Sequence, residues 1–440
     1  MNNVLTSINS RLSNAKTLIR YFPIVLKEAM GIHVLDMNKK KYIDCISAAG
    51  SLPFGHNHFI ASNAIQEFIN RQLPVQTMDI ATEVQYDFLN TLYKFLPHEF
   101  SRDAKIQMCS PSGGDAVDAA IKLAKVATGR SPIIAFYGGY HGQGYASSSI
   151  SGKLRSKYTY SGMSDVHFLP YPNAYRCPFQ IGAEGHKNIS DYIECLLKNP
   201  QSGISKPAAV IFEAVQGEGG VNIAPNEWIR NLRKVTKELD IPLIADEVQT
   251  GFCRTGKKFA FEHAGITPDI VCVAKAIGGS MPLAAIIHNS KLDKWNEYQH
   301  AGTWRGNQMG FLLGMRTMEY MEKEKLWEKS HTLGDKFIED MKTIQHDYPF
   351  IGDVRGKGLI FALEMVKPNS KKDKIGSLPP NINIAKKFQE KCLDNGLLIL
   401  RGGPYGNVIR IIPPLTITND EIDEVLHIIK KSLREIDSIK

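Results

Sequence analysis

The sequence predicts an α/β protein with parallel strands at its centre. Three observations lead there. Ile241–Ala245 and Ile270–Ala274 are short apolar runs bounded by turn signals, too short for helices and suited to strands buried on both faces. Further runs, Pro132–Phe136 and Ala208–Val215, alternate with amphipathic stretches such as Asp115–Thr128 and Asn226–Asp240. The first two runs end in Asp246 and Lys275, at a spacing that leaves room for a crossover between neighbouring parallel strands. Open α/β sheets place their ligands at such strand ends.

Composition sets the bounds. The chain has 440 residues, 43% hydrophobic and 22% charged, enough for two or three domains. No uninterrupted apolar run approaches the roughly 18 residues of a membrane-spanning helix. The net charge is +8, but the basic residues are scattered and no aromatic-basic module accompanies them, so nothing supports nucleic-acid binding. Seven cysteines, an odd number without paired spacing, argue against a disulfide framework or a zinc site, and no metal is expected. A reducing, cytoplasmic setting follows.

In chain order, residues 1–27 lack Asp and Glu and carry Arg11, Lys16 and Arg20, a bias that transit peptides share. Leu5, Ile8, Leu12, Ala15 and Leu18 instead fall at helical spacing and predict an amphipathic helix. Ile32–Asp36 and Lys41–Ile46 flank the polar Met37–Lys40 turn and predict a hairpin. Ile60–Leu96 reads as helical, interrupted at Leu73–Met78, and Ile106–Ser110 reads as a strand. Ser112-Gly113-Gly114 then opens a helix that ends at Gly129, and such a helix start favours a phosphate. Ser147–Ser149 and Tyr158–Met163 read as loop, and a helix covers roughly Ile189–Lys198. Pro282–Ile287 predicts a further strand. Beyond it come one long helix over about Met315–His346, a glycine-interrupted strand at Val354–Leu363 and an exposed loop at 366–383. Helix Ile384–Asn395, strands Leu397–Arg401 and Val408–Ile412, and a final helix at about Asp420–Leu433 complete the chain.

An aspartate and a lysine at strand ends read first as an ion pair capping the sheet. A second reading gives them chemistry. A lysine in an apolar pocket loses proton affinity and becomes a nucleophile able to form a Schiff base with an aldehyde cofactor. A buried aspartate beside a pyridinium nitrogen keeps that ring an electron sink. The pattern ADEVQTG followed by AKAIGGSMPLAA supports the second reading. It resembles the signature of the class III aminotransferases, which are pyridoxal-phosphate enzymes.

The resemblance runs from about Tyr21 to about Leu433. It implies fold type I, with a large domain around a mostly parallel seven-stranded sheet and a smaller α/β domain. The implied boundaries are 59–314 for the large pyridoxal 5'-phosphate-binding domain, with 1–58 and 315–440 forming the small one. Lys275 would bind the cofactor aldehyde, Asp246 its ring nitrogen and Gln249 its phenolic oxygen. Gly113 and Gly114 would cradle the phosphate, although the family usually has Ser or Thr where Gly114 stands. Tyr140, in the run YGGYHG, would stack on the ring. In EAVQGEGG, Glu213 would support the cofactor's surroundings. Glu218 would gate Arg410, of the run VIRIIPPL, which clamps a substrate carboxylate. Thr303, in HAGTWRGNQMG, would reach the cofactor phosphate of the other subunit, implying a homodimer with shared active sites.

The FP-V---A-G pattern, AAGSLPFGHN and the GTWRGN run resemble the diaminobutyrate aminotransferases most closely. Cys45–Ala48 departs from their more aromatic, glycine-rich stretch. The implied reaction is ping-pong transfer of a terminal amino group between L-2,4-diaminobutyrate / L-aspartate 4-semialdehyde and 2-oxoglutarate / L-glutamate. The alternatives are a class III ω-aminotransferase acting on ornithine, 4-aminobutyrate or a polyamine, and behind it a mutase or racemase of the same fold. A catalytically silent binding protein is disfavoured by the intact Lys275, Asp246 and Gln249. Arg305, between Trp304 and Gly306, reads either as a carboxylate contact or as an ion-pair partner.

Overall fold

The computed structural model describes residues 2–17, 21–152 and 162–437. The chain opens with a helix at Asn2–Arg11 and an antiparallel ribbon of β1 (Leu26–Met30), β2 (His33–Asp36) and β3 (Lys41–Asp44). The expected hairpin is therefore present. The N-terminal helix is shorter than its apolar spacing predicted: Leu12 and Ala15 lie beyond its end, and Leu18 lies outside the described residues.

The centre is a seven-stranded sheet. In chain order its members are β4 (Ala104–Cys109), β5 (Ile133–Phe136), β6 (Val166–Leu169) and β7 (Ala209–Phe212). After the small ribbon β8 (Val215–Gln216) and β9 (Asn222–Ile223) come β10 (Leu243–Asp246), β11 (Ile270–Val273) and β12 (Ala284–Asn289). The spatial order is β4-β12-β11-β10-β7-β5-β6. The pairs β5–β6, β5–β7, β7–β10 and β10–β11 are parallel, and β12 runs antiparallel to both its neighbours. Strands β5, β7, β10 and β11 are buried at every position, as their unbroken apolar runs require. Six strands thus deliver their C-terminal ends to one edge of the sheet. Ser110, Tyr137, Glu213, Asp246 and the Lys275 turn leave from that edge.

The C-terminal part forms a second antiparallel sheet, β13 (Ile351–Gly356), β14 (Phe361–Met365), β16 (Leu400–Gly402) and β17 (Val408–Ile411), in the order β13-β14-β17-β16. The two-residue strand β15 (Leu397–Leu398) leaves this sheet and pairs parallel with β3. N-terminal and C-terminal segments therefore share one layer.

Several expectations need correction. Met315–His346 is two helices, Gln308–Lys323 and Leu326–Asp347, broken where Lys325 turns left-handed at φ 47°. The first packs on the helices Phe59–Asn70 and Glu83–Phe95, the second on β13 and the last helix, so the break lets each face its own partner. Ala208–Val215 is interrupted after Phe212, because Val215 pairs with Ile223 in the small ribbon. Val354–Leu363 is a two-strand hairpin, and Leu397–Arg401 is split between two sheets. Ser147–Ser149 belongs to a short helix, Tyr145–Ser149. Residues 158–161 of the predicted Tyr158–Met163 loop lie outside the described residues. Among the described residues no helix is long and apolar enough to cross a membrane.

Candidate active site

Lys275 follows β11 at a φ of 52° and starts a short helical turn closed by the left-handed Gly279. A non-glycine residue held at positive φ stores strain of roughly 1–3 kcal/mol, and such strain concentrates at functional sites. Loss of water around the amine lowers its pKa to about 8, against the pull of Glu218 and Asp246. The side chain is surrounded by protein yet keeps part of its surface accessible.

Asp246 ends β10, the strand beside β11. Its Oδ2 lies 2.7 Å from His141 Nδ1, and its Oδ1 accepts the Val248 N–H at 3.1 Å. Both side chains are buried. Burial pushes the imidazole towards neutrality, but the hydrogen bond and charge of Asp246, with Glu213 behind it, raise its pKa overall. The His141 N–H donates to Ser151 Oγ at 2.9 Å, which fixes the ring's backbone. His141 is thus a site residue whose role the sequence left unassigned. The adjacent Tyr140 was its only signal, since its partner lies 105 residues away.

Glu213, just past β7, accepts the N–H of Tyr140 on Oε1 (2.9 Å) and of Gly217 on Oε2 (3.2 Å). Burial raises its pKa to about 7. It therefore ties the Tyr140 loop to the turn that carries Glu218. Tyr140 is half-buried, and Gln143 Nε2 donates to its hydroxyl at 3.3 Å.

The helix Gly113–Thr128 is capped by Ser112, whose Oγ accepts the Gly114 N–H at 3.2 Å. A Cβ on Gly113 would come within 2.8 Å of Val248 Cγ1, so this turn packs directly under the Asp246 segment. A Cβ on Gly114 would meet Ser147 Oγ at 3.3 Å. That hydroxyl is buried beside Asp118 and the positive end of a helix. An amine nucleophile, a buried carboxylate–imidazole pair and a helix start beside a buried hydroxyl together fit a phosphorylated pyridine aldehyde.

The Gln249 Nε2 donates to Ala49 O at 2.9 Å, and the side chain packs against Gly217. The structure thus engages one of its two amide protons with the N-terminal segment. Thr303 stands exposed on a surface turn, where its carbonyl accepts Gln76 Nε2 at 2.5 Å. Arg305 is nearly buried, with Nη2 3.7 Å from Asp115 Oδ2. Glu218 Oε1 and Arg410 Nη2 are 2.5 Å apart. Arg410, on β17, is 2% exposed, and its Nε and Nη1 have no partner among the described residues. Gly402 leaves room for the guanidinium: a Cβ there would lie 2.7 Å from Nε. Both charges act on Lys275, so the pair and the amine share one field.

Such a site defines a class, the pyridoxal-phosphate enzymes of the α/β type, and comparison with known proteins narrows it. The family model for class III aminotransferases matches residues 16–433. A diaminobutyrate–2-oxoglutarate aminotransferase of Rhizobium meliloti is 45% identical over 94% of this chain and 89% of its own length. Another of that name from Haemophilus influenzae is 40% identical, covering 97% and 94%. Among solved structures, an amine transaminase from an uncultivated Pseudomonas species superposes with a TM-score of 0.86 at 27% identity, covering 97% of this chain and 98% of that one. The chain belongs to the class III aminotransferase family. It is a pyridoxal-phosphate-dependent transaminase, as its signature implied.

Proposed function

We propose that the chain moves the terminal amino group of L-2,4-diaminobutyrate to 2-oxoglutarate, giving L-aspartate 4-semialdehyde and L-glutamate, or runs the reverse. The observation that carries this reading is the Glu218–Arg410 pair beside Lys275. A transaminase with two unlike substrates must accept a dicarboxylate in one half-reaction and avoid attracting a carboxylate in the other. Glu218 neutralises Arg410 while the donor's terminal amine reacts. When 2-oxoglutarate enters, Arg410 turns to its carboxylate: release of Glu218 frees Nη2, which together with Nη1 or Nε makes a two-pronged grip. The names of the relatives from Rhizobium and Haemophilus support the substrate pair.

Pyridoxal phosphate, when bound, supplies an electron-withdrawing ring that accepts the electron pair of the breaking C–H bond. The chain's own residues do the rest. Lys275, its amine lowered to about 8, holds and returns the proton at the carbon that bears the transferred amine. Asp246 holds negative charge for the ring nitrogen, and His141 holds Asp246. Tyr140 would lie against the ring and exclude water. Gly113 and Gly114 hold the phosphate through the helix start, Gln249 offers its second amide proton to the phenolic oxygen, and Glu213 keeps these loops in place.

Thr303 of the partner subunit completes the phosphate site in a homodimer. Exposed Trp304, Val75, Met78 and Ile80 around this segment support such an interface. The division into 59–314 and 1–58 with 315–440 belongs to the same proposal, and the β3–β15 pairing supports it. A cytoplasmic setting also belongs to the proposal, and the seven free cysteines support it. The test is a panel of amine donors with 2-oxoglutarate and added cofactor, reading glutamate formed. Turnover chiefly on L-2,4-diaminobutyrate is expected. Preference for another ω-amine would overturn the substrate and leave the mechanism, and would direct attention to Cys45–Ala48.

A further inference from the structure

The turn that carries Glu218 closes the β8–β9 ribbon. It is tied internally: the N–H groups of Gly220 and Val221 donate to Gly217 O at 3.1 and 3.2 Å. Asn222 Nδ2 donates to Gly219 O at 3.1 Å. The C-terminal sheet then grips the same turn from outside. The Gly403 N–H donates to Glu218 O at 3.1 Å. Arg355, on β13, places Nε and Nη2 on Gly220 O at 3.1 and 2.7 Å.

Arg355 is itself fixed. Its Nη1 reaches Asp353 Oδ2 at 2.7 Å and Glu364 Oε2 at 2.9 Å. Glu364, 3% exposed on β14, also accepts from Arg176 Nε at 2.7 Å and Asn407 Nδ2 at 3.4 Å. A planar guanidinium with two N–H groups on one carbonyl and a third on carboxylates has one orientation open to it. Gly220 sits at φ 117°, and a Cβ there would stand 3.3 Å from Arg355 Nη2, so the approach requires glycine. Strand β14 is also the neighbour of β17, with Ala362 opposite Arg410. The group that grips the gate turn and the arginine that the gate serves are therefore anchored in one sheet.

We propose that Arg355, oriented by Glu364 and Asp353, is the positioning residue that fixes the backbone of the gate turn, so that Glu218 changes partners by side-chain rotation alone. This rests on the Glu218–Arg410 gate of the proposed function. Without the grip on Gly220 the turn loosens, and Glu218 compensates Arg410 less well. The cost falls on the half-reaction in which the pair must stay closed. A donor's carboxylate then competes for Arg410 and turns its terminal amine away from Lys275. The dicarboxylate half-reaction, in which Glu218 is displaced anyway, changes little.

The test is the holoenzyme with Arg355→Lys, which keeps a cation beside Glu364 and loses the two-pronged grip. Each half-reaction is followed separately in single turnovers by cofactor absorbance. The expected result is a loss of about tenfold in kcat/KM for L-2,4-diaminobutyrate and less than about twofold for 2-oxoglutarate. In a Glu218→Gln background the same change should cost less than about twofold on the donor side, because the gate is already disabled. Glu364→Gln preserves the shape of the network and should show the same asymmetry at about threefold; it carries the test if Arg355→Lys does not fold. Equal losses in both half-reactions, or a full loss in the Glu218→Gln background, would overturn the proposal. If Glu218→Gln itself affects both half-reactions equally, the gate reading fails, and the role of Arg355 fails with it. If Glu218→Gln is asymmetric and Arg355→Lys is not, only the role of Arg355 fails.

Discussion

Lys275 shows how far one side chain is set by its surroundings. Its ordinary pKa of 10.5 would leave almost all of it charged and inert as a nucleophile near neutrality. Removal of water penalises the ammonium, Glu218 and Asp246 favour it, Arg410 opposes it, and the balance lies at about 8. The sign of the pH effect follows. Capture of pyridoxal phosphate requires the neutral amine, so its rate on the apoenzyme should rise with pH through about 8 and then level. An unshifted lysine would instead gain about tenfold per pH unit up to about pH 10. Stopped-flow absorbance on mixing apoenzyme with cofactor reads this directly, with Lys275→Ala as the unreactive control. A profile still climbing steeply above about pH 9 would show that burial does not set this amine.

At the scale of elements, the helix Gly113–Thr128 opens with two glycines at the phosphate end of the proposed site. Gly114→Ser should be accommodated, since the new Cβ meets nothing closer than Ser147 Oγ at 3.3 Å. The added hydroxyl beside Ser147, with a gain of up to roughly 0.5 kcal/mol in helix propensity, should slow cofactor dissociation by about threefold. Unchanged retention in a dialysis time course would mean that the backbone N–H groups and Ser147 already suffice.

The sheet around this helix was legible because β7, β10 and β11 are unbroken apolar runs, and the first hairpin because its turn is polar. Strand β6 was not: Val166, His167 and Phe168 are only half-buried at the sheet edge, so no apolar run marks them. The break at Lys325 carries no Gly or Pro between Glu322 and Lys329, and only the separate packing of the two helices requires it. The split of 397–402 between two sheets depends on β15 pairing with β3, more than three hundred residues away, while β16 pairs with the nearby β17. The site divides the same way. Asp246 and Lys275 stand in a contiguous signature, whereas the His141–Asp246 bond and the hold of Arg355 on Gly220 join residues more than a hundred positions apart.

Over the whole molecule, several exposed apolar side chains lie in the segments around Thr303. Val75 is 67% exposed, Ile80 72% and Trp304 61%, with Met78 between them. Their segments are stitched together: the Thr77 N–H donates to Gly306 O at 3.3 Å, and Gln76 pairs with Asn307. One apolar face therefore frames Thr303. Apolar side chains exposed together in this way are costly in water and suit a contact surface. In the proposed homodimer each Thr303 would reach the other subunit's phosphate, and dimerisation and cofactor retention would become one equilibrium. Ile80→Glu combined with Trp304→Glu should then move the mass in solution to the 49.1 kDa of one chain. It should also speed cofactor loss by about tenfold or more, although neither residue is expected to touch the cofactor. Sedimentation and cofactor absorbance followed together decide it. Monomers that keep the cofactor as tightly as the parent would separate assembly from the site, and an unchanged dimer would put the contact on another face.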